Sequence, residues 1–225
     1  MTALDSPARH PAGLPGIQHL NRFEDGEHLH SLLWRMGDGW RMISSAVLGG
    51  GIGERAWILN TQVAHGYRRT DPDRHLADLA RAADAHGPGV GLMTAADVCD
   101  YGFAHDGGVH AVATAGLGVR GWAASPAEGT VTAPRAGTIN IVATLPIALT
   151  DAALVNAVAT ATEAKVQALI EAGYDCSGTP TDAVCIAARS PHSDYEVHAF
   201  AGPRSLWGAR LARAVHAAVR DAAEK

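Results

Sequence analysis

The chain is poor in cysteine and in clustered positive charge. Its 225 residues include 3 Cys, and Cys99, Cys176 and Cys185 form no C-x-x-C pair. A disulfide framework is therefore excluded, and this usage is typical of a reducing compartment. Lys and Arg total 18 against 23 Asp and Glu, giving a net charge of −5, and the basic residues are scattered. This pattern argues against nucleic acid or an anionic lipid surface as the partner, so we expect a small molecule.

Long hydrophobic runs and a secretory leader are also missing. The Ala- and Val-rich segments are interrupted by charge, Gly or Pro before they reach the roughly 18 residues that a membrane helix needs. Residues 1–20 lack the basic start and apolar run of a signal peptide. We therefore expect no membrane insertion and a cytoplasmic protein. The sequence leaves open whether the chain forms a homo-oligomer.

What the chain does have is enough apolar sequence for one core. Hydrophobic residues make up 47% of the chain, and its length suits a single domain. Residues 1–22 contain three Pro and little apolar periodicity, which predicts a flexible N-terminal extension before a domain over 23–225. Strands come in groups rather than in strict alternation with helices. This order predicts an α+β fold, with a layered mixed β-sheet and helices packed on its faces.

Turn and cap signals place the main elements. Gly37-Asp38-Gly39 joins two apolar runs, 28–35 and 40–48, which predicts a β-hairpin. Asp71 followed by Pro72 predicts the start of a first helix, with Asp71 as its cap. Thr150 predicts the start of the longest helix, which ends at Gly173. Further strands are predicted over 56–63, 90–96, 109–117, 138–147 and 181–188, and a last helix over 205–225.

The predicted helix over 151–173 has one apolar arc. Its members, at 100° per residue, are Leu154, Val155, Val158, Val166 and Leu169. The opposite side carries Asn156, Thr160, Glu163 and Gln167, and it predicts the solvent face. Thr162 and Lys165 fall inside the apolar arc, where an ammonium group must extend to solvent or find a partner. Lys165 is therefore either a site residue or a lysine that reaches past the core.

Two other features of the sequence are compatible with ligand binding. The glycine-rich segment SSAVLGGGIG, residues 44–53, suits backbone N–H groups that face a phosphate or carboxamide, although a plain connection between strands is equally consistent. The chain has 12 His, and His28 and His30 share one face of a strand. No H-E-x-x-H motif accompanies them, so we predict no protein-bound metal.

The run SGTPTD, residues 177–182, precedes a buried strand. A loop that enters a strand can fix hydroxyls and a carboxylate in a cleft. Asp182 is therefore the leading carboxylate, with turn capping as the alternative.

Several segments, taken in order, resemble the adenosylcobinamide amidohydrolase family. They are ISSAVLGGG, ILNTQV, the step from Tyr67 to Asp71-Pro72, VGLMTAAD, ATAGL, GTINIV, LTDAALVNAVATATEAKVQAL, TDAVCIA and AGPRSLWG. The resemblance covers residues 43–215. It implies hydrolysis of the amide between the aminopropanol arm and the corrin ring of adenosylcobinamide, giving adenosylcobyric acid for corrinoid salvage. It implies no cofactor of the protein's own, because the cobalt arrives within the corrinoid substrate.

Two positions depart from the family pattern. Pro180 stands where the family has Gly, and Gly118-Val119 replace a Ser-Asn pair. These departures keep two other functions open. One is a non-catalytic corrinoid-binding protein associated with uptake, and the other is an amidohydrolase that acts on complete cobamides.

Amide hydrolysis requires an activated nucleophile, donors for the oxyanion and a proton for the leaving amine. The candidate catalytic residues, in these segments, are Asp182 or Glu163 to activate water, Thr181 or Thr94 as a nucleophile, Asn140 at the oxyanion and Lys165 as a proton donor or orienting group. The residues expected to bind substrate are Ser44, Ser45, Gly49, Gly50, Gly51, Asn60, Asp97, Thr138 and Thr162.

Overall fold

The computed structural model describes residues 16–125, 137–191 and 196–225. The strands in these ranges are β1 (Ile17–Glu24), β2 (Glu27–Arg35), β3 (Trp40–Ser44), β4 (Gly51–Glu54), β5 (Trp57–Gln62), β6 (Gly89–Thr94), β7 (Gly102–Asp106), β8 (Val109–Ala115), β9 (Ile139–Leu149), β10 (Ala183–Arg189) and β11 (Val197–His198). The helices are α1 (Pro72–Ala82), α2 (Asp151–Glu171) and α3 (Leu206–Ala223), with a 3-10 turn at Val98–Asp100.

The strands form two mixed sheets. One sheet has the order β1-β2-β5-β6, and the other has the order β4-β3-β10-β9-β8-β7, with β11 paired to β9. The parallel pairs are β5 with β6, β10 with β9, and β11 with β9. The α+β prediction is confirmed.

Both faces of each sheet are covered, which gives four layers. Leu32 of β2 and Val142 of β9 belong to one apolar cluster, which lies between the sheets. Leu33 of β2 packs on the other side, against Leu76 of α1. Helices α2 and α3 pack on the outer face of the larger sheet, where Ile141 and other alternate residues of β9 meet them. The central strands are apolar on both sides because neither face meets water.

Hydroxyl caps begin the two long helices. The Thr150 side chain accepts a hydrogen bond from the Ala153 N–H at 3.1 Å, and Ser205 accepts one from Gly208 at the same distance. These caps satisfy backbone donors that have no partner within the helix. At α1 the expectation is corrected, because Asp71 makes no side-chain capping bond. Its carboxylate pairs with Arg69 instead, at 2.9 Å.

The structure corrects two predictions about the first third of the chain. Residues 17–22 are part of β1, which pairs with β2 over its whole length, so the extension does not reach residue 22. Residues 1–15 lie outside the described residues. The hairpin over 28–48 is also wrong, because β2 and β3 lie in different sheets. The strands that pair with β3 are β4 and β10, and the glycine-rich loop connects β3 to β4. The pairing of β2 and β3 is decided by the burial of their apolar faces in different sheets, and the turn at residues 37–39 does not determine it.

The buried face of α2 differs from the predicted arc. Small residues such as Ala157, Ala161 and Ala164 face the sheet, and Thr160 is buried with them, donating to the Ala201 carbonyl at 2.8 Å. Val155 is 57% exposed, although it was placed in the apolar arc. Because α2 and α3 approach each other closely, their contact requires Ala rather than larger residues. The positions of the large apolar residues alone therefore did not indicate which side of α2 is buried. Lys165 is 7% exposed, as its place in the arc implied.

None of the helices among the described residues is long and apolar enough to cross a membrane.

Candidate functional site

A cavity of about 410 Å³ lies at one end of the sandwich, where loops from both sheets meet. Its walls come from the loop after β3, the chain between β5 and α1, the end of β6, and the residues that lead into β9 and β10. Five of the predicted site residues line it: Ser45, Thr94, Thr138, Asn140 and Thr181. Segments that are far apart in sequence thus place a few hydroxyl and amide groups in a mostly apolar lining.

Two hydroxyls meet at the wall formed by the starts of β9 and β10. Thr138 Oγ1 and Thr181 Oγ1 are 2.6 Å apart, and Thr181 Oγ1 is 3.0 Å from the Gly137 carbonyl. If Thr181 donates to this carbonyl, its oxygen is left to accept the proton of Thr138. Thr138 is 8% exposed, whereas Thr181 lies at the open rim. The pair offers hydroxyl oxygens to a ligand at two depths of the cavity.

Asp182 organises the loop behind this wall. Its Oδ1 accepts from the Ile139 N–H at 2.9 Å and is 2.6 Å from Thr179 Oγ1. Its Oδ2 accepts from the Thr179 N–H at 3.2 Å and from Lys165 Nζ. A carboxylate has about four acceptor positions, and four donors use them here. Asp182 does not line the cavity, so this geometry favours a positioning role over water activation.

Lys165 reaches Asp182 from α2, on the helix side of the larger sheet. The two side chains are 9% and 13% exposed. Gly178 covers the pair, since a Cβ at that residue would lie 2.2 Å from Asp182 Oδ2 and 2.5 Å from Lys165 Nζ. Lys165 does not line the cavity either. The predicted partner of this lysine is found, but the ammonium group faces the loop rather than a leaving amine.

Asn140 offers the cavity an acceptor. Its Nδ2 donates to Asn60 Oδ1 at 2.8 Å and to the Met93 carbonyl at 3.1 Å. Asn60 in turn donates to Thr114 Oγ1 at 3.1 Å. These contacts occupy the amide hydrogens of Asn140, while its buried Oδ1 has no partner among the described residues. With both amide hydrogens used in this way, Asn140 has no free donor for an oxyanion in this arrangement, and its role at the oxyanion stays a prediction.

The chain between β5 and α1 supplies residues that the sequence reasoning did not place in the site. His65, Tyr67 and Pro72 line the cavity. The one sequence signal for them was the step from Tyr67 to Asp71-Pro72, which contributed to the family resemblance. No spacing rule would have selected them, because His65 and Tyr67 lie in irregular structure and Pro72 is the first residue of α1.

Several predicted residues lie elsewhere. Glu163 and Thr162 are on the exposed side of α2, where Thr162 Oγ1 bonds the Val158 carbonyl at 2.9 Å. Asp97 caps the 3-10 turn by accepting from the Cys99 N–H at 2.9 Å. None of these side chains lines the cavity. The rotation of α2 that buries alanines turns Glu163 and Thr162 outward together.

The glycine-rich loop has a packing role. A Cβ on Gly49 would lie 1.9 Å from the Gly89 carbonyl oxygen, and one on Gly50 would lie 2.7 Å from the Ala46 carbonyl. Glycine thus permits close contact between the β3–β4 loop and β6. Gly49, Gly50 and Gly51 do not line this cavity, so the structure favours the connection between strands, and substrate binding by this loop stays a prediction.

Ser44 and Ser45 both link this loop to β10 through side-chain hydrogen bonds. Ser44 Oγ donates to the Val184 carbonyl at 2.9 Å, and Ser45 Oγ accepts from the Val184 N–H at 3.1 Å. Only Ser45 also faces the cavity.

A second cavity of about 190 Å³ lies between the sheets near Trp34, Trp40 and His110. It contains none of the predicted site residues. Within the described ranges, no group of three or more His, Cys, Asp or Glu side chains is arranged to hold a metal ion.

The fold and the first cavity define a small-molecule site of hydroxyl and amide groups in an α+β protein. The chain matches the adenosylcobinamide amidohydrolase family over residues 16–225, and it belongs to that family. It is therefore a hydrolase of an amide carbon–nitrogen bond. An adenosylcobinamide amidohydrolase of Methanosarcina mazei is 33% identical over 161 residues, which cover 72% of each chain.

Among solved structures, the PH0078 protein of Pyrococcus horikoshii OT3 aligns with a TM-score of 0.46 at 13% identity. The alignment covers 92% of this chain and 82% of that one.

Proposed function

We propose that this protein hydrolyses the amide between the aminopropanol arm and the corrin ring of adenosylcobinamide, releasing adenosylcobyric acid and aminopropanol. The product can re-enter cobamide synthesis, so the reaction serves corrinoid salvage in the cytoplasm. The observation that carries the proposal is the cavity at the end of the two sheets, because most of its lining comes from the segments that resemble the family.

The size of the cavity supports this choice of bond. A volume of about 410 Å³ suits a ligand of modest size. A corrin macrocycle that carries an adenosyl group is much larger, whereas an amide on a short arm can enter. The ring then rests outside, where Val47 at the rim is 56% exposed and offers apolar contact. In this mode the cobalt is part of the substrate and stays outside the cavity.

The polar lining supports recognition of an amide. A secondary amide presents one N–H and one carbonyl oxygen, and these need an acceptor and donors respectively. The hydroxyl of Thr138 can turn from Thr181 to donate to the carbonyl oxygen. The unpartnered Oδ1 of Asn140 accepts the N–H after a small shift of the side chains that now bury this atom. The hydroxyl of Thr181 or a water molecule is then the nucleophile. Asp182 and Lys165 hold the Thr181 loop in place.

The test is adenosylcobinamide hydrolysis by the purified protein, with both products identified by mass spectrometry. Sustained formation of adenosylcobyric acid over many turnovers supports the proposal. Stoichiometric corrinoid binding without aminopropanol release would favour the uptake-associated binding protein instead. The same assay with complete cobamides decides the alternative substrate, and faster release from a complete cobamide would contradict the preference proposed here.

A further inference from the structure

Tyr67 connects the cavity to a chain of polar side chains outside it, of which His75 is buried and the others partly buried. Its ring stacks on His75 with a centroid distance of 5.6 Å and an interplanar angle of 11°. Its hydroxyl is 3.1 Å from His75 Nδ1. Tyr67 lines the cavity, whereas His75 lies behind it on α1 and is 3% exposed. The phenol oxygen is therefore the point at which a substrate can meet this chain of contacts.

The next contact determines how the histidine is protonated. His75 Nε2 lies 2.9 Å from Glu24 Oε1. An ionised carboxylate only accepts, so His75 donates from Nε2 and its Nδ1 accepts the proton of the Tyr67 hydroxyl. Burial lowers the pKa of His75, and the nearby Glu24 carboxylate opposes that shift. The imidazole is thus held neutral near pH 7 with its basic nitrogen directed at Tyr67.

Glu24 is itself fixed by Arg22. The Glu24 Oε2 accepts from Arg22 Nε at 2.6 Å. The same guanidinium donates to Thr61 Oγ1 at 2.9 Å and to the Gln62 carbonyl at 2.7 Å on β5. The chain Tyr67, His75, Glu24 and Arg22 therefore joins the cavity wall to two strands of the smaller sheet. A carboxylate oriented by an arginine stabilises an imidazolium without moving.

We propose that Tyr67 and His75 form the proton relay of the hydrolytic site, with Glu24 as a positioning residue. The relay rests on the function proposed above. Its geometry matches the arrangement in which a base is oriented by a third group. A role in packing alone is a poor explanation for His75, because burying an imidazole costs desolvation that an apolar side chain would avoid.

The steps balance as follows. Water attacks the amide carbon, and one of its protons passes to Tyr67 Oη as the original phenol proton moves to His75 Nδ1. The imidazolium is stabilised by Glu24. When the carbon–nitrogen bond breaks, the proton returns by the same route to the amine nitrogen, which leaves. The products are the carboxylic acid and the amine, and Tyr67 and His75 regain their starting states.

The surrounding charges allow both groups to be neutral at the start. Burial raises the pKa of Tyr67, and Arg69 opposes that shift while Asp71 and Glu24 add to it. Around His75, Arg69 and Arg22 lower the pKa, and Asp71 and Glu24 raise it. A relay with a histidine base predicts that kcat/KM rises with pH through an ionisation below the usual His value of about 6.5.

The experiment compares the parent protein with Tyr67→Phe, His75→Gln and Glu24→Gln in adenosylcobinamide hydrolysis across pH. General acid–base catalysis contributes about 10²–10⁴-fold, so Tyr67→Phe and His75→Gln are expected to lower kcat by that factor, with KM little changed. Glu24→Gln removes a charge that raises the His75 pKa, so it lowers kcat and moves the acidic limb to lower pH. A structural role would leave the position of that limb unchanged.

Matched controls are Tyr174→Phe and His110→Gln. Tyr174 loses a hydroxyl that donates to the Ala223 carbonyl at 2.8 Å, and His110 lies at the second cavity. Both variants should retain parental kcat. Near-parental kcat in Tyr67→Phe or His75→Gln would overturn the relay while leaving the proposed function intact, as would an acidic limb that Glu24→Gln does not move. A parent protein without turnover would overturn the proposed function and the relay with it.

Discussion

Lys165 and Asp182 form an ion pair between α2 and the loop before β10, with side chains 9% and 13% exposed. The pair fixes the loop that carries Thr179 and Thr181, because the same carboxylate accepts from the Thr179 backbone and hydroxyl. The hydroxyl oxygens of Thr179 and Thr181 lie 2.8 Å and 3.0 Å from the Gly137 carbonyl oxygen, respectively. A salt bridge outside the cavity thereby sets the position of a hydroxyl at its rim.

Removing one partner of this pair should destabilise the fold. Lys165→Ala leaves a largely buried carboxylate without its counter-ion, and such changes cost about 3–5 kcal/mol. Urea denaturation followed by circular dichroism measures the free energy of unfolding. Arg81→Ala is the control, because it breaks the exposed pair with Asp78 and should leave the midpoint unchanged. Equal midpoints for Lys165→Ala and the parent would contradict this account.

Adding one methyl group above the pair should separate it. In Gly178→Ala the new Cβ would lie 2.2 Å from Asp182 Oδ2, so the carboxylate or the loop must shift. We expect a lower melting temperature and reduced kcat/KM, because Thr181 moves with the loop. Gly121→Ala is the matched control, since no atom lies within 4 Å of its Cβ. If Gly178→Ala and Gly121→Ala both have the melting temperature of the parent, Gly178 does not pack tightly against the Lys165–Asp182 pair.

The hydroxyls of Thr138 and Thr181 should affect the rate of hydrolysis more than the hydroxyl of Thr144 in β9. Thr138→Val keeps the shape of the side chain and removes a neutral hydrogen bond, worth about 1–1.5 kcal/mol or roughly tenfold in kcat/KM. Thr144→Val changes the second cavity and should be neutral. Thr181→Val separates the two candidate nucleophiles. A loss beyond 10³-fold, restored by Thr181→Ser, would indicate direct attack by the hydroxyl, while about tenfold would indicate water.

The cysteines should be slow to alkylate in the native protein. Burial, together with nearby Asp97, raises the pKa of the Cys99 thiol to about 11, and burial raises that of Cys185 to about 12. Because the thiolate is the reactive form, little of it exists at pH 7. Mass spectrometry after iodoacetamide treatment should show slow labelling at exposed Cys99, and labelling of Cys176 and Cys185 only in denaturant. Rapid native labelling of Cys185 would contradict its burial.

Removing metal ions tests whether the protein needs a metal of its own in addition to the cobalt of the substrate. We propose that the protein contributes no metal ion of its own, so incubation with EDTA followed by desalting should leave the rate of adenosylcobinamide hydrolysis unchanged. Elemental analysis of the desalted protein provides the comparison. Activity that falls after chelation and returns with added zinc or manganese would contradict this expectation.

The sequence predicted correctly those helices and strands that are determined by residues close together in the chain. The Thr150 cap, Pro72 in the first turn of α1, and the apolar runs of β5, β6, β9 and β10 all depend on residues close in sequence, and the structure has them. Pairing was predicted less well. The turn at Gly37 does not close a hairpin, because the apolar faces of β2 and β3 are buried in different sheets.

The sequence by itself determined the family, the fold class, the place of Lys165 on an apolar face of α2 and five of the residues that line the cavity. The tertiary structure decided which polar groups meet. It turned Thr162 to the exposed side of α2, gave the glycine-rich loop a packing contact with β6, and brought Glu24 of β1 to His75 of α1, 51 positions later in the chain. Hydrogen bonds between distant segments depend on sheet order and helix rotation. These are set by how the whole core excludes water, and no local pattern records them.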